Sequence, residues 1–97
     1  MKNDRDLGVP AEVIRDPKAN EVIRAWVANN GLVCALRPTT WEKSWAWGIV
    51  LADVARNVAN ALRDERGDEP SLTLKGIQEV FNREMADPTE EPTGSFV

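Results

Sequence analysis

A long apolar stripe in the middle of the chain most constrains the fold. Between residues 47 and 62 the apolar side chains recur every three or four positions, which places them on one face of an α-helix. The residues of this stripe are Trp47, Val50, Leu51, Val54, Val58, Ala61 and Leu62. Since the stripe continues for about four turns, we predict a central helix that begins near Ser44. Gly48 within it predicts close approach by another backbone.

The length of the chain sets the size of the domain. It has 97 residues, of which 42% are hydrophobic, and this suffices for a single modest core. We expect a mobile leader over residues 1–9, one globular domain over residues 10–88 and a flexible acidic tail over residues 89–97. The first residues lack the apolar segment of a secretion signal, and a lone Cys34 cannot form an internal disulfide. The missing secretion signal predicts a cytoplasmic protein, and Cys34 is expected to be a small buried thiol.

Residues 32–36 predict the main β-strand. They are apolar at every position, so we expect both faces of the strand to be covered. A lone strand leaves backbone donors and acceptors without partners. We therefore expect this strand to pair with the same strand of a second subunit about a two-fold axis. The alternative is an intrachain parallel strand over residues 11–15.

A first helix is expected before this strand. Asp16 and Pro17 form a conventional helix start, and five apolar residues after them share one helical face. These residues are Ala19, Val22, Ile23, Trp26 and Val27. The pair Asn30-Gly31 fits either a helix end or a hairpin, and the hairpin would join residues 21–28 as a strand to residues 32–36. We favour the helix because of its cap and its five matching positions.

A third helix is expected after a charged connector. Ser71 is a suitable N-cap, and Asp87 with Pro88 ends the helix. The apolar residues on one side of this helix are Leu74, Ile77, Phe81 and Met85. Together the elements predict a helix-dominated α+β fold with about three helices and one main strand, in the order α-β-α-α.

The residue inventory disfavours several kinds of site. The chain has no histidine and no tyrosine, which removes the most common general base and transition-metal ligand. No phosphate-binding glycine loop occurs, and the acids between Asp64 and Glu69 lack the glycine spacing of an EF-hand. We therefore expect no catalytic residue, no cofactor and no metal site, and the inventory disfavours an enzyme.

Charge and hydropathy limit the partners. The chain has 12 basic and 16 acidic residues, and its net charge of −4 disfavours nucleic acid as a partner. The longest apolar run, residues 45–52, is much shorter than the roughly 20 residues of a membrane-spanning helix. We expect neither a nucleic-acid partner nor a membrane partner.

Trp41, Trp45 and Trp47 are the most suggestive group of side chains. Trp45 and Trp47 would point about 200° apart on a helix, which would leave one of them exposed. An exposed tryptophan near Arg37 would suit a ligand pocket or the centre of a protein interface. Burial of all three in the core or at a homodimer interface is the interpretation that we favour. The candidate ligand or interface residues are Arg37, Trp41, Trp45, Arg56, Asn57 and Asn60, although a solvated helix face also explains the last three.

Residues 36–53, with the sequence LRPTTWEKSWAWGIVLAD, resemble a known family. They are followed by ARNVANA over residues 55–61, and the similarity extends from about residue 16 to residue 88. The segment is similar to the small bacterial proteins known as domain of unknown function family 5076. The family has an acid, a proline and a small residue where this chain has Lys43, Ser44 and Trp45, and often a histidine at the position of Asn57. The resemblance implies a bacterial domain without an assigned activity, so it supplies no catalytic residue.

The sequence thus predicts a small domain that carries no known functional motif. We expect a homodimeric, non-catalytic interaction or regulatory module, with an unidentified protein or small molecule as a further partner. The alternative is a small-molecule-binding protein or an enzyme with a site near Arg37, Trp41, Trp45 and the polar face of the central helix.

Overall fold

The computed structural model describes residues 5–89 and 93–96. Within these residues the chain forms a short helix, a β-hairpin, two long helices and a last strand. The elements are α1 (Ala11–Arg15), β1 (Ile23–Ala28), β2 (Gly31–Leu36), α2 (Ala46–Arg66), α3 (Pro70–Ala86) and β3 (Thr93–Phe96). A 3₁₀ turn over Pro38–Thr40 leads from β2 towards α2. The predicted α+β class is confirmed.

The segment expected to form the first helix is a strand of a hairpin. Ala28 pairs with Gly31, so Asn29 and Asn30 form a two-residue loop with φ angles of 53° and 64°. Positive φ at both loop positions matches the twist of the strands, and asparagine adopts it more readily than most residues. Asp16 accepts a hydrogen bond from the Lys18 N–H at 2.9 Å, but in a turn that does not continue as a helix. The helix prediction is wrong, and the hairpin alternative is confirmed.

β2 is the central strand of a three-stranded sheet. It pairs antiparallel with β1 on one side and parallel with β3 on the other. The predicted strand over residues 32–36 is therefore confirmed. The two pairing partners that we considered for this strand are wrong. Residues 11–15 form a helix, and β2 has no free edge at which a strand of a second subunit could pair.

β3 lies in the segment for which we expected a tail. Gly94 stands opposite Cys34, and a Cβ at this position would collide with the Cys34 carbonyl oxygen. A glycine is therefore required for β3 to approach β2 closely. Residues 1–4 of the expected leader, and residues 90–92 and 97 of the expected tail, lie outside the described residues. The limits of leader, domain and tail remain predictions.

The two long helices are confirmed, and their ends have local causes. α2 ends where Gly67 adopts a φ of 77° and donates its N–H to the Arg63 carbonyl at 2.8 Å. α3 begins at Pro70, and its N-cap is Glu69 rather than the predicted Ser71. The Glu69 carboxylate accepts the Leu72 N–H at 3.2 Å and the Ser71 hydroxyl. The predicted end of α3 is confirmed, with Asp87 at the C-cap. Neither these helices nor any other described helix meets the length and apolarity of a membrane span.

Among the residues that the structure describes, the packing of these elements forms no closed core. α2 contacts α3 and the strands contact one another, but neither helix packs extensively against the sheet. Ala59, with 1% of its surface exposed, is the one buried residue among those described. The accessible surface is 8631 Å², whereas a compact chain of 10.8 kDa is expected to expose about 5,500 Å². The expected modest core does not form within one chain, and the predicted cover over both faces of β2 is missing at exposed Leu32.

Gly48 has no close neighbour inside the chain. A Cβ built at this position meets nothing within 4 Å. The close backbone approach that the sequence predicted is therefore absent from a single copy of the chain. Gly76 in α3 is equally open, so neither helical glycine is explained by packing within one copy.

Candidate functional site

Trp41 and Trp47 form an aromatic pair at the junction between the sheet and α2. Their rings meet edge to face, with centroids 5.4 Å apart and planes inclined at 82°. The Trp47 indole N–H donates to the Pro38 carbonyl at 3.0 Å. The 3₁₀ turn that presents this carbonyl is closed by the Thr40 hydroxyl, which donates to the Arg37 carbonyl at 2.6 Å. These contacts fix the start of α2 to the end of the hairpin.

Trp45 is the most exposed of the three tryptophans near this junction. It occupies the N-cap position of α2, and 68% of its surface is exposed. Exposure of one tryptophan was the alternative that the sequence left open, and Trp45 is that exposed residue. Burial of all three tryptophans within one copy of the chain is wrong, since Trp41 is exposed as well.

Arg37 closes the base of the hairpin. Its backbone N–H donates to the Val22 carbonyl at 3.0 Å, and its Nε donates to the Glu21 carbonyl at 3.3 Å. Glu21 also pairs with Arg24 at 3.0 Å, and the Arg24 guanidinium lies 5.9 Å from the centre of the Trp26 ring. Arg37 therefore stabilises the base of the hairpin through its backbone N–H and its side-chain Nε–H.

Arg56, Asn57 and Asn60 lie together on one exposed face of α2. Arg56 follows Trp45 by eleven positions, which corresponds to about 16 Å along a helix axis. The structure thus brings the three polar residues together and separates them from the tryptophans. The six candidate residues do not form one pocket.

The best-defined cleft involves none of these candidates. It has a volume of about 650 Å³ and lies between residues 5–10 and residues 19–26, with Val13 also at its wall. A second cleft of about 510 Å³ lies at the end of α3. There Glu84 accepts the Thr89 N–H at 3.0 Å and the Thr89 hydroxyl at 3.2 Å. Across residues 5–89 and 93–96 no group of three His, Cys, Asp or Glu side chains could hold a metal ion.

Glu69 is the titratable group whose environment is clearly perturbed. Hydrogen bonds from the Ser71 hydroxyl, and then from the backbone N–H groups of Ser71 and Leu72, lower the pKa of its carboxyl group. The carboxylate is fully exposed at the start of α3, where negative charge also suits the helix dipole. Its role is to cap the helix.

Sequence reasoning missed that much of the apolar stripe of α2, here called the α2 seam, is exposed. We define the α2 seam as Trp47, Leu51, Val54, Val58 and Ala61, which follow one another at spacings of four, three, four and three residues. Leu51, Val54 and Val58 are 44%, 48% and 42% exposed. The signal was the apolar stripe itself, from which we predicted the central helix but not an exposed apolar surface.

One face of the sheet is apolar as well. We define the apolar sheet face by the alternate residues of the hairpin that share one side. They are Ile23, Ala25 and Val27 from β1 and Leu32, Cys34 and Leu36 from β2. Val27 and Leu32 at the hairpin end are exposed. Both halves of the molecule therefore leave apolar surface open to water.

Comparison with known proteins relates the whole chain to one family. No curated protein is significantly similar to it. A solved structure described as a "putative pyruvate dehydrogenase", from the photosynthetic bacterium Rhodopseudomonas palustrus CGA009, is 31% identical with a TM-score of 0.72. The match covers 96% of this chain and 95% of that chain. Residues 6–89 match the family described as Domain of unknown function (DUF5076), which confirms the predicted resemblance, and the chain belongs to this family.

Proposed function

We propose that this chain is a non-catalytic interaction module that works as a homodimer. The observation that carries the proposal is the absence of a closed core: of the residues described, Ala59 alone is buried. A chain in which α2, α3 and the sheet all expose large apolar side chains gains little from folding alone. Association would cover this surface.

The area of exposed surface supports a dimer interface of ordinary size. The chain exposes 8631 Å², about 3,000 Å² more than a compact chain of its mass. Stable homodimers bury about 2,000–5,000 Å² in total, which is about 1,000–2,500 Å² for each copy. The excess is therefore large enough to supply such an interface.

We further propose that the module acts in the bacterial cytoplasm. Its single thiol, Cys34, is unpaired, as is usual in a reducing compartment. The acidic balance of the chain makes a protein a better partner than a nucleic acid. A regulatory role would follow if the homodimer presented the exposed Trp45 or the polar face of α2 to a further protein.

Sedimentation of the full chain tests the proposal. We expect a particle of twice the 10.8 kDa chain mass at micromolar concentration. We also expect a urea unfolding midpoint that rises with protein concentration, because folding and association are then coupled. A 10.8 kDa particle at every concentration, with a midpoint that does not depend on concentration, would contradict the homodimer.

The second candidate is a small-molecule site near Arg37, Trp41 and Trp45. The observation that favours it is the exposure of Trp45 next to the Trp41–Trp47 pair. Pyruvate is the first compound to test, because it appears in the description of the related structure. A saturable change of tryptophan fluorescence on titration with pyruvate, lost in Trp45→Ala, would favour this candidate. An unchanged spectrum at millimolar pyruvate would reject pyruvate as its ligand.

A further inference from the structure

The α2 seam has the spacing of a coiled-coil interface. Apolar residues alternately four and three positions apart stay on one side of a helix that packs along a second helix. The seam holds five such positions, and the next one, Glu65, is charged. The apolar part of the repeat therefore covers about two heptads, from Trp47 to Ala61.

α3 does not cover this seam. The residue of α2 that is buried in the chain is Ala59, which is one position after Val58 and so points about 100° away from it. Ala55 and Leu62, four before and three after Ala59, share its face and are also partly buried. α2 therefore has two apolar faces, of which α3 occupies one.

We propose that the α2 seam binds the α2 seam of a second copy of this chain, with the two helices antiparallel about a two-fold axis beside Val54. The proposal rests on the homodimer proposed above and names the surface that forms it. A two-fold axis makes one patch its own partner, so a self-complementary stripe is required.

The sizes of the seam residues fit this arrangement. With the axis at Val54, the numbers of two residues that face each other across the interface add up to about 108. Trp47 then faces Ala61 of the second copy, and Leu51 faces Val58. Each large side chain meets a smaller one. This keeps the distance between the two helix axes even along the seam.

Charge also favours the antiparallel direction. In a parallel pair, Glu65 would face Glu65 of the second copy, and Trp47 would face Trp47. In the antiparallel pair, Glu65 lies towards the start of the second α2, where Lys43 precedes the helix. The carboxylate then approaches an opposite charge instead of a like one.

Cross-linking tests the position of the axis. In a Cys34→Ala background, Val54→Cys places a thiol beside the axis in each copy, and a short bismaleimide should link most of the protein into covalent dimers. The matched control is Ile49→Cys, whose side chain is exposed on the opposite side of α2 and should yield few covalent dimers. Leu51→Cys mixed with Val58→Cys should cross-link, whereas neither variant should cross-link alone.

Charge substitution tests the energetic role of the seam. Val58→Asp should raise the dimer dissociation constant by about 100-fold or more, since two carboxylates would be buried in the interface. Ile49→Asp should change it by less than about threefold, because its surface is exposed in either state. Circular dichroism shows whether each of the two aspartate variants is folded. The cross-linking experiment uses other variants, so its result does not depend on their folding.

The outcomes separate this inference from the homodimer itself. Cross-linking of Leu51→Cys or Val58→Cys alone would indicate parallel helices and overturn the antiparallel arrangement. A dimeric wild-type protein in which Val54→Cys links no better than Ile49→Cys would overturn the inference and leave the homodimer standing, with the apolar sheet face as its interface. A monomeric wild-type protein would overturn both.

Discussion

The sheet and the helical pair are stabilised by different kinds of contact. In the sheet, β2 satisfies its backbone through one strand that is adjacent in sequence and one that lies far along the chain. In the helical pair, hydrogen bonds are local, and α2 buries Ala59 against its neighbour. Both regions form regular backbone hydrogen bonds while leaving apolar side chains exposed. Secondary structure can therefore form within a chain whose tertiary burial is still incomplete.

The largest effect is expected at the buried position of the helical pair. Ala59→Asp places a carboxylate between α2 and α3 and should lower the free energy of unfolding by about 3–5 kcal/mol. The control is the exposed neighbour change Asn60→Asp, which should alter it by no more than about 0.5 kcal/mol. Urea unfolding followed by far-ultraviolet circular dichroism measures both. Equal stability of the two variants would mean that the α2–α3 contact contributes little.

A second prediction separates the sheet from the helices. Gly94→Ala should destabilise the sheet by about 2 kcal/mol, because the new Cβ collides with the Cys34 carbonyl. Gly76→Ala has open space and should stabilise α3 by up to about 1 kcal/mol.

Amide hydrogen exchange measures where the effect of Gly94→Ala appears. Faster exchange in β2 and unchanged exchange in α2 would show that the two regions unfold as separate units. Equally faster exchange in both would show that the sheet and the helices unfold as one unit, although different contacts stabilise them.

The hairpin loop should give a smaller effect. Asn30→Ala puts an ordinary side chain at a φ of 64° and should cost about 1 kcal/mol. Asn30→Gly keeps positive φ accessible and serves as the control, with little change expected. Chemical denaturation measures both. A loss as large in Asn30→Gly would show that the asparagine side chain, rather than its φ, matters.

The smallest effect is expected at the cap of α3, and it depends on pH. The pKa of Glu69 is lowered in the folded chain, so its stabilising effect is present above the unfolded-state value of about 4.5 and is lost as pH falls through the lower folded-state value. Glu69→Gln should therefore melt below wild type at pH 7, and the two melting temperatures should converge towards pH 3. A difference that stays constant across this range would contradict the role of the ionised carboxylate.

Most of the helical structure could be predicted because its causes are local. The stripe of α2 and the Asp87-Pro88 end of α3 lie within a few residues of the features that they predict. The error at residues 23–28 arose because Ile23, Trp26 and Val27 satisfy a helical period and are also residues that favour strands. Only the sheet that β2 forms decides between the two. β3 was missed because Thr93, Gly94 and Ser95 carry no apolar alternation, and its partner lies far away in the sequence.

The sequence could predict only those features of the candidate site that depend on local helix geometry. Helix geometry separates Trp45 from Trp47, which left open the exposure of one of them. Trp45 is exposed in the structure. The sequence did not indicate that Arg37 is tied to Glu21, because that contact depends on the hairpin. It also placed all seven stripe residues on one helical face. In the structure Val50 and Leu62 are half-buried, whereas Leu51, Val54 and Val58 are exposed.

The parallel pairing of β3 with β2 also affects how the chain is made. Leu36 pairs with Phe96, so sixty residues must be added after Leu36 before the third strand is available. At about 5–20 residues per second this takes roughly 3–12 seconds. Throughout that interval the apolar β2 has an unprotected edge, and a two-stranded hairpin is only marginally stable in water. Chaperones that shield nascent strands would have their strongest effect on this protein during that time, before the ribosome reaches residue 96.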